Sequence, residues 1–381
     1  MSYIDVRKAE SSKEIRDFIN LPWQIYKDDD AWVPPLKSDF KKYIMGQTNS
    51  MNQSGPNNRL IAYYNDKPAA RLIVGINEHL NELKDYREGY ISLFESIDNS
   101  DVSEAILASA VKWLKEKGMD TVIGPLSLPG GEDNRGFIID NFEDPTMIMG
   151  SFNKPYYNTL FTRFGFEKYQ DCYAYTMRFD REINERYMRL VPYAKKKYKF
   201  DLHKLDMKNI SKEMEDIKTI IHEAMPEEWA DFVPPTDEEI QIIANGIIPI
   251  ADPNLIYIAR STDGRPIGFN LTLPDYNQVL KKMNGRLFPT GIFKYLYFKR
   301  KINRARFFVL FVIPEYRKKG VPSAIYIESF NAARDNGYIY GEGSTIWEYN
   351  EIMMRDIETF GGEKYKTYRI YKKKISEKKV P

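Results

Sequence analysis

Cysteine is almost absent from this chain: one residue, Cys172, in 381. No intrachain disulfide can form, which fits a reducing compartment. Cys172 falls in YQDCYAYTMRF, an apparent strand, and is expected to be a small core residue rather than a nucleophile. Histidine is nearly as scarce. His79, His203 and His222 stand far apart without ligand spacing, which excludes a Cys/His zinc site and argues against a His-based triad. No Asp/Asn-rich loop has calcium spacing, so no metal ligands are assigned. Long apolar runs are missing as well: FFVLFVI, residues 307–313, is far too short to span a bilayer. No charged segment followed by an apolar one opens the chain, so no signal peptide is expected. Charge imbalance is also lacking. With 56 basic and 54 acidic side chains and a net charge of +2, there is no overall attraction to nucleic acid. These absences point to a cytoplasmic protein with no membrane span and no nucleic-acid partner.

What is present is the composition of a folded protein: 43% apolar and 14% aromatic residues, on a chain long enough for two or three domains. The aromatics crowd proline corners, as Trp23, Trp32, Tyr156 and Tyr157 do, and read first as core packing. The sequence SSKEIRDFINLPWQIYKDD predicts a capped helix broken near Pro22, and residues 45–58 read as a mobile polar loop. Thereafter one order appears twice: hairpin, strand, long helix, strand, helix, strand. The hairpins turn at NDKP and DGRP, and the closing segments GFEKYQDCYAY and GGEKYKTYRIY share letters. We read a tandem duplication of one α+β unit, divided into residues 1–180 and 181–381, with 181–200 a charged helical connector. The lysine-rich run 372–379 reads as a solvated tail.

In the second half the strand-to-helix turn is EYRKKGVPS. The first amides of a helix lack intrahelical acceptors and carry partial positive charge, so they suit an anion. Gly320 would permit close approach, and Arg317, Lys318 and Lys319 add charge. Pro322 removes one donor, and Ser323 supplies a hydroxyl and an amide beside it. The stretch Val312 to Ala324, V-x-P-x-Y-R-x-K-G-V-x-S-A, resembles the pyrophosphate-binding segment of the GNAT N-acetyltransferase superfamily, with Pro322 replacing its final Gly or Ala. Segments along nearly the whole chain, LPWQIYKDDDAWVPPL and EGSTIWEYN among them, resemble a bacterial family of tandem GNAT-like proteins.

The resemblance implies an α+β fold of two GNAT-like domains, each a mixed, mostly antiparallel sheet flanked by helices. It implies acetyl-CoA or another acyl-CoA as cosubstrate, held by Val312, Arg317, Lys318, Lys319, Gly320, Val321, Ser323, Ala324 and Asn350. It also implies a carboxylate base and a tyrosine acid. Glu342 and Glu348 are the leading bases, with Glu315 a further candidate. The position of the usual tyrosine holds Ile357, so Tyr349, Tyr326 or Tyr340 would have to substitute. The first half has DNSDVS at the corresponding turn and Phe161 at the corresponding tyrosine position, so it is expected not to bind CoA. Its loop GPLSLPGGEDNRGF reads as a connector or as a substrate lip carrying Asn134 and Arg135. The leading expectation is transfer of an acyl group, acetyl first, to an amine of a small molecule or peptide. A silent CoA-ester or metabolite-binding protein is the second, and an aminoacyl-tRNA-dependent peptidyl transferase the third. A homodimer is compatible with each.

Overall fold

The computed structural model describes residues 3–131, 135–183, 185–225 and 235–375. In chain order the first half supplies β1 (Ile4–Lys8), α1 (Ser12–Ile25), α2 (Lys37–Ile44), α3 (Met51–Ser54), β2 (Asn57–Tyr64), β3 (Lys67–Ile76), α4 (Glu78–Lys84), β4 (Glu88–Ser96), α5 (Ser100–Glu116), β5 (Thr121–Gly124), β6 (Phe137–Ile138), α6 (Tyr156–Arg163) and β7 (Glu167–Arg178). The second supplies α7 (Glu185–Tyr198), β8 (Phe200–Lys204), α8 (Ile210–Ala224), α9 (Asp237–Ile247), β9 (Tyr257–Ser261), β10 (Pro266–Pro274), α10 (Asn277–Met283), α11 (Gly291–Phe298), β11 (Arg304–Val312), α12 (Val321–Asp335), β12 (Tyr340–Trp347), α13 (Glu351–Thr359) and β13 (Glu363–Lys374). The order hairpin, strand, long helix, strand, helix, strand therefore occurs twice, as β2 to β7 and as β9 to β13.

Two compact units result, and they do not follow a single cut. The first unit takes the described residues up to Cys172, then Val279–Leu296, then those from Lys366 on. The second takes Tyr173–Gln278 and Tyr297–Tyr365. A division near residues 180–200 assigns the last strand to the second half. In the structure its later part is antiparallel to β5, with Tyr371 opposite Gly124 and Lys374 opposite Thr121. The run at 372–374 is thus strand rather than tail: Lys372 Nζ lies 2.5 Å from Glu88 Oε1 and 4.8 Å from the Tyr169 ring centroid. Residues 376–379 lie outside the described residues.

In the first unit the sheet runs β1-β2-β3-β4-β5-β13, antiparallel except for the parallel pair β4–β5. Asn65 and Asp66 both take positive φ at the β2–β3 turn, the conformation a two-residue hairpin needs. One face packs on α5 and α6 through Leu72, Phe94, Ile106, Leu114 and Phe161. The other packs on α1 and α2 through Phe18, Phe40, Ile61 and Ile73. Helix α1 starts with a capping box, Glu14 N donating to Ser11 Oγ at 3.2 Å and Ser11 N to Glu14 Oε2 at 2.9 Å. It does not break at Pro22. The Phe18 carbonyl that Pro22 cannot serve accepts Arg71 Nη1 at 2.6 Å instead, and the helix runs on to Ile25. The polar stretch 45–58 also folds back: Asn49, Ser50 and Met51 are buried, with Asn49 Nδ2 donating to Tyr43 O at 2.7 Å.

In the second unit the sheet runs β7-β12-β11-β10-β9-β8; the pairs β8–β9, β9–β10 and β10–β11 are antiparallel and β11–β12 is parallel. Helices α7, α8 and α12 pack through Val191, Ala194, Ile220, Val321, Ala324 and Ile325. A second cluster contains Tyr175, Phe179, Phe330, Ile346 and Ile357. Cys172 is buried, as its setting in a strand predicts.

Candidate functional site

Strands β11 and β12 pair only from Arg304 opposite Tyr340 to Phe307 opposite Gly343, although they continue to Val312 and Trp347. Beyond Phe307 they part, leaving a cleft between two parallel strands. A bulge accompanies the split: Leu271 and Thr272 of β10 face Val309 and Phe307, so Phe308 has no partner residue. Residues Phe307–Phe311 are consequently only half-buried despite their apolar character. Two cavities of about 180 and 60 Å³ share Phe307, Tyr326 and Ile357 as lining. Their walls are mostly aromatic and aliphatic, as suits an alkyl chain or thioester arm.

At the apex of the cleft sits a buried polar knot. Glu342, fully buried, accepts hydrogen bonds from Ser344 Oγ and Tyr365 Oη. Arg306 Nε lies 3.7 Å from Glu342 Oε1 and donates to Ser344 Oγ at 2.8 Å. Both Glu342 oxygens are therefore engaged. Glu348 is half-buried in the turn after β12, and Tyr349 is 40% exposed and stacked on Trp347. Asn350 accepts from Met353 N at 3.2 Å, capping α13.

The basic turn joins β11 to α12. Gly320 is the residue preceding the helix, at φ +79°, a conformation glycine adopts without strain, and no side chain caps the helix. Val321 is buried, Ser323 is half-buried, and Ala324 N closes the first turn on Gly320 O at 3.0 Å. The corresponding helix of the first unit, α5, is capped: Asn99 Oδ1 accepts from Asp101 N at 3.0 Å and Val102 N at 3.1 Å. Its own side chain occupies the place an anion would take, and Asp101 adds like charge. Of these two corresponding helices, α12 alone lacks a side-chain cap.

Several residues expected as ligands also bond to the protein itself. Arg317 donates to Val312 O at 3.1 Å and to Ala224 O at 2.5 Å, fastening the turn to β11 and to the end of α8. Lys319 pairs with Glu315 at 3.1 Å, and Glu315 also meets Arg265 at 3.4 Å. Lys318 is exposed. A Cβ on Gly320 would come within 2.9 Å of Ala194 Cβ, so the glycine admits α7 as well as any ligand. That contact brings Ala194 of α7 to the turn; the next residue, Lys195, pairs with Asp201 at 3.2 Å and with Glu328, further along α12, at 3.3 Å. Lys195 was visible in the sequence as part of a connector, but its placement depends on a helix packing no local pattern encodes.

Ile357 is buried and lines both cavities; a Cβ on Gly343 would fall 2.4 Å from its Cδ1. Of the alternative tyrosines, Tyr326 lies in the cleft and lines both cavities. Burial, and then the charge of Asp356, raise its hydroxyl well above the usual tyrosine range, so it stays protonated. Asp356, which the sequence reading did not single out, is itself raised by burial. Tyr340 stands at the closed end of β12, where its hydroxyl accepts from Arg178 Nη1 at 2.9 Å. In the first unit, the Arg135 backbone carbonyl accepts from Ser151 Oγ at 2.9 Å, and Gly130 packs on Ser50. Asn134 lies outside the described residues.

No family model matches the chain. Protein YghO of Escherichia coli (strain K12) is 27% identical over 97% of this chain and 95% of its own length. The bacterial ceramide synthase of Caulobacter vibrioides (strain NA1000 / CB15N) is 25% identical over 98% of both. Among solved structures, a tandem GNAT protein from the clavulanic acid biosynthesis pathway superposes with a TM-score of 0.60. It is 9% identical and covers 99% of each chain. The resemblance carried by the basic turn is thus matched by the architecture: this chain has the tandem GNAT N-acetyltransferase fold.

Proposed function

We propose that the chain is an N-acyltransferase that takes its acyl group from an acyl-CoA bound in the second unit and delivers it to the amine of a long-chain amino alcohol. The observation that carries the donor half is the parting of β11 and β12 beside an uncapped α12 N-terminus. Unpaired strand backbone suits the amide-bearing arm of CoA, and the α12 amides suit its pyrophosphate. Ser323 adds a hydroxyl at the first turn and Lys318 an exposed charge beside it; Arg317 holds the turn in shape. The acceptor half rests on the relative whose name is ceramide synthase, since a ceramide is an amide of a long-chain amino alcohol, and on the apolar walls of the cleft.

In the reaction the amine nitrogen attacks the thioester carbon. A C–N bond forms, the C–S bond breaks, and the amine proton must leave while the thiolate gains one. Tyr326 is assigned the second task, because it is neutral and in the cleft. Asp356, half-buried on α13 and close enough for its charge to act on the Tyr326 hydroxyl, is assigned the first. Glu342 is assigned to bracing the apex.

The test is thiol release from acetyl-CoA and palmitoyl-CoA, with a long-chain amino alcohol and a short polyamine as acceptors. Release that requires the long-chain acceptor is the expected result. Release only with the polyamine would overturn the acceptor assignment. CoA binding without release to any amine would favour the silent reading, for which Ile357 is the specific support.

A further inference from the structure

Between Asp275 and Glu315 the chain has no acidic residue, in a protein whose charges otherwise nearly balance. Within this stretch, residues 281–301 carry seven Lys or Arg, all exposed. Among the described residues the same segment has the most exposed aromatic side chains: Phe293 is 73% exposed and Phe288 69%. Leu296 and Tyr297 are 52% and 58% exposed. On α11, Phe293, Leu296 and Tyr297 are spaced i, i+3 and i+4, so one face of the helix presents an apolar stripe to solvent. Burying that stripe inward would be the ordinary arrangement; here it points outward, ringed by Lys294, Arg300 and Lys301. Lys301 Nζ lies 4.1 Å from the Tyr297 ring centroid, a cation poised at the edge of an apolar surface.

We infer that α11 and its flanks form a docking surface for an anionic lipid bilayer, lying in the interface with the aromatics inserted and the basic residues among the headgroups. Charge complementarity selects this occupant: an apolar protein partner would match the stripe but not the exposed Lys294, Arg300 and Lys301 that flank it, in a stretch of chain that carries no acid. No helix among the described residues is long and apolar enough to cross a membrane, so the contact is peripheral. The inference does not depend on the acceptor proposed above. A docked enzyme would, however, meet a long-chain amine where such molecules partition.

The experiment is sedimentation of the full chain with vesicles of phosphatidylglycerol or of phosphatidylcholine, without CoA. Partitioning onto the anionic vesicles should exceed that onto the zwitterionic ones by about tenfold or more and fall with added salt. Phe293→Ser with Leu296→Ser should remove it, and Lys294→Gln with Arg300→Gln should weaken it. Circular dichroism and the melting midpoint of each variant, unchanged because these side chains are exposed, verify the fold. Equal partitioning onto both lipids, or none onto either, would overturn the inference. So would a concentration-dependent dimer that Phe293→Ser dissociates while no vesicle binds, since the stripe would then belong to a second copy of the chain.

Discussion

Replacing Glu342 by alanine is expected to destabilise the second unit by about 3–5 kcal/mol, measured by urea unfolding. Glu342 is fully buried, and its removal leaves the guanidinium of Arg306, 1% exposed, without its carboxylate. Tyr365 and Ser344 lose an acceptor at the same time. The large cost comes from leaving one charge buried alone rather than from the attraction of the pair. Replacing both partners, Arg306→Met with Glu342→Leu, should therefore recover most of the loss. If Glu342→Ala were nearly neutral, the knot would not brace the apex of the cleft, and Glu342 would return as a candidate base.

Tyr326→Phe should lower kcat about 10²–10⁴-fold, the range a positioned general acid supplies. Folding should be nearly unaffected, because the hydroxyl lies against Met353 Sδ at 2.9 Å, a weak acceptor. The combination of intact stability, intact CoA binding and lost turnover separates an acid from a packing residue. Asp356→Asn should also lose activity. In the parent enzyme the rate should fall as pH drops through the raised Asp356 pKa, because the base must be unprotonated to accept the amine proton. A Tyr326→Phe variant with unchanged kcat would leave the thiolate to be protonated by solvent.

The repeated order of elements was legible because each piece carries a local signal. Ser11 with Glu14, Asn65 with Asp66, and the apolar spacing of Ile106, Leu107, Ala110 and Leu114 each specify their own geometry. What failed to show was whatever depends on a distant partner. Pro22 reads as a helix breaker until Arg71 arrives from β3 to take the carbonyl. Asn49 and Ser50 read as loop, yet side-chain hydrogen bonds replace water and let the stretch bury Met51. Lys372 reads as tail because its stem lies along Tyr169 and its charge against Glu88, neither of which is nearby in sequence.

The same distinction divides the candidate site. Gly320 and the helix behind it were visible as a glycine turn before a helix, and Asn99 against Gly320 explains why one of the two helices has a side-chain cap and the other has none. The role of Arg317 was not visible: a guanidinium beside a glycine turn reads as a ligand, but here two carbonyls take it. Asn350 likewise reads as a contact, and its capping of α13 was not visible. Asp356 was passed over because an acid on an amphipathic helix looks like solvated surface until the neighbouring burial is known.

The central claim is that the α12 turn and the cleft beside it hold an acyl-CoA. It is tested most directly by the melting midpoint of the protein with free CoA, acetyl-CoA and palmitoyl-CoA. At a hundred times the dissociation constant, a bound ligand should stabilise the fold by about 2.7 kcal/mol, and the midpoint should rise accordingly. Under this proposal palmitoyl-CoA should give the rise at the lowest concentration, since its chain would add contacts with the apolar lining. A midpoint unchanged by all of these ligands would contradict the account.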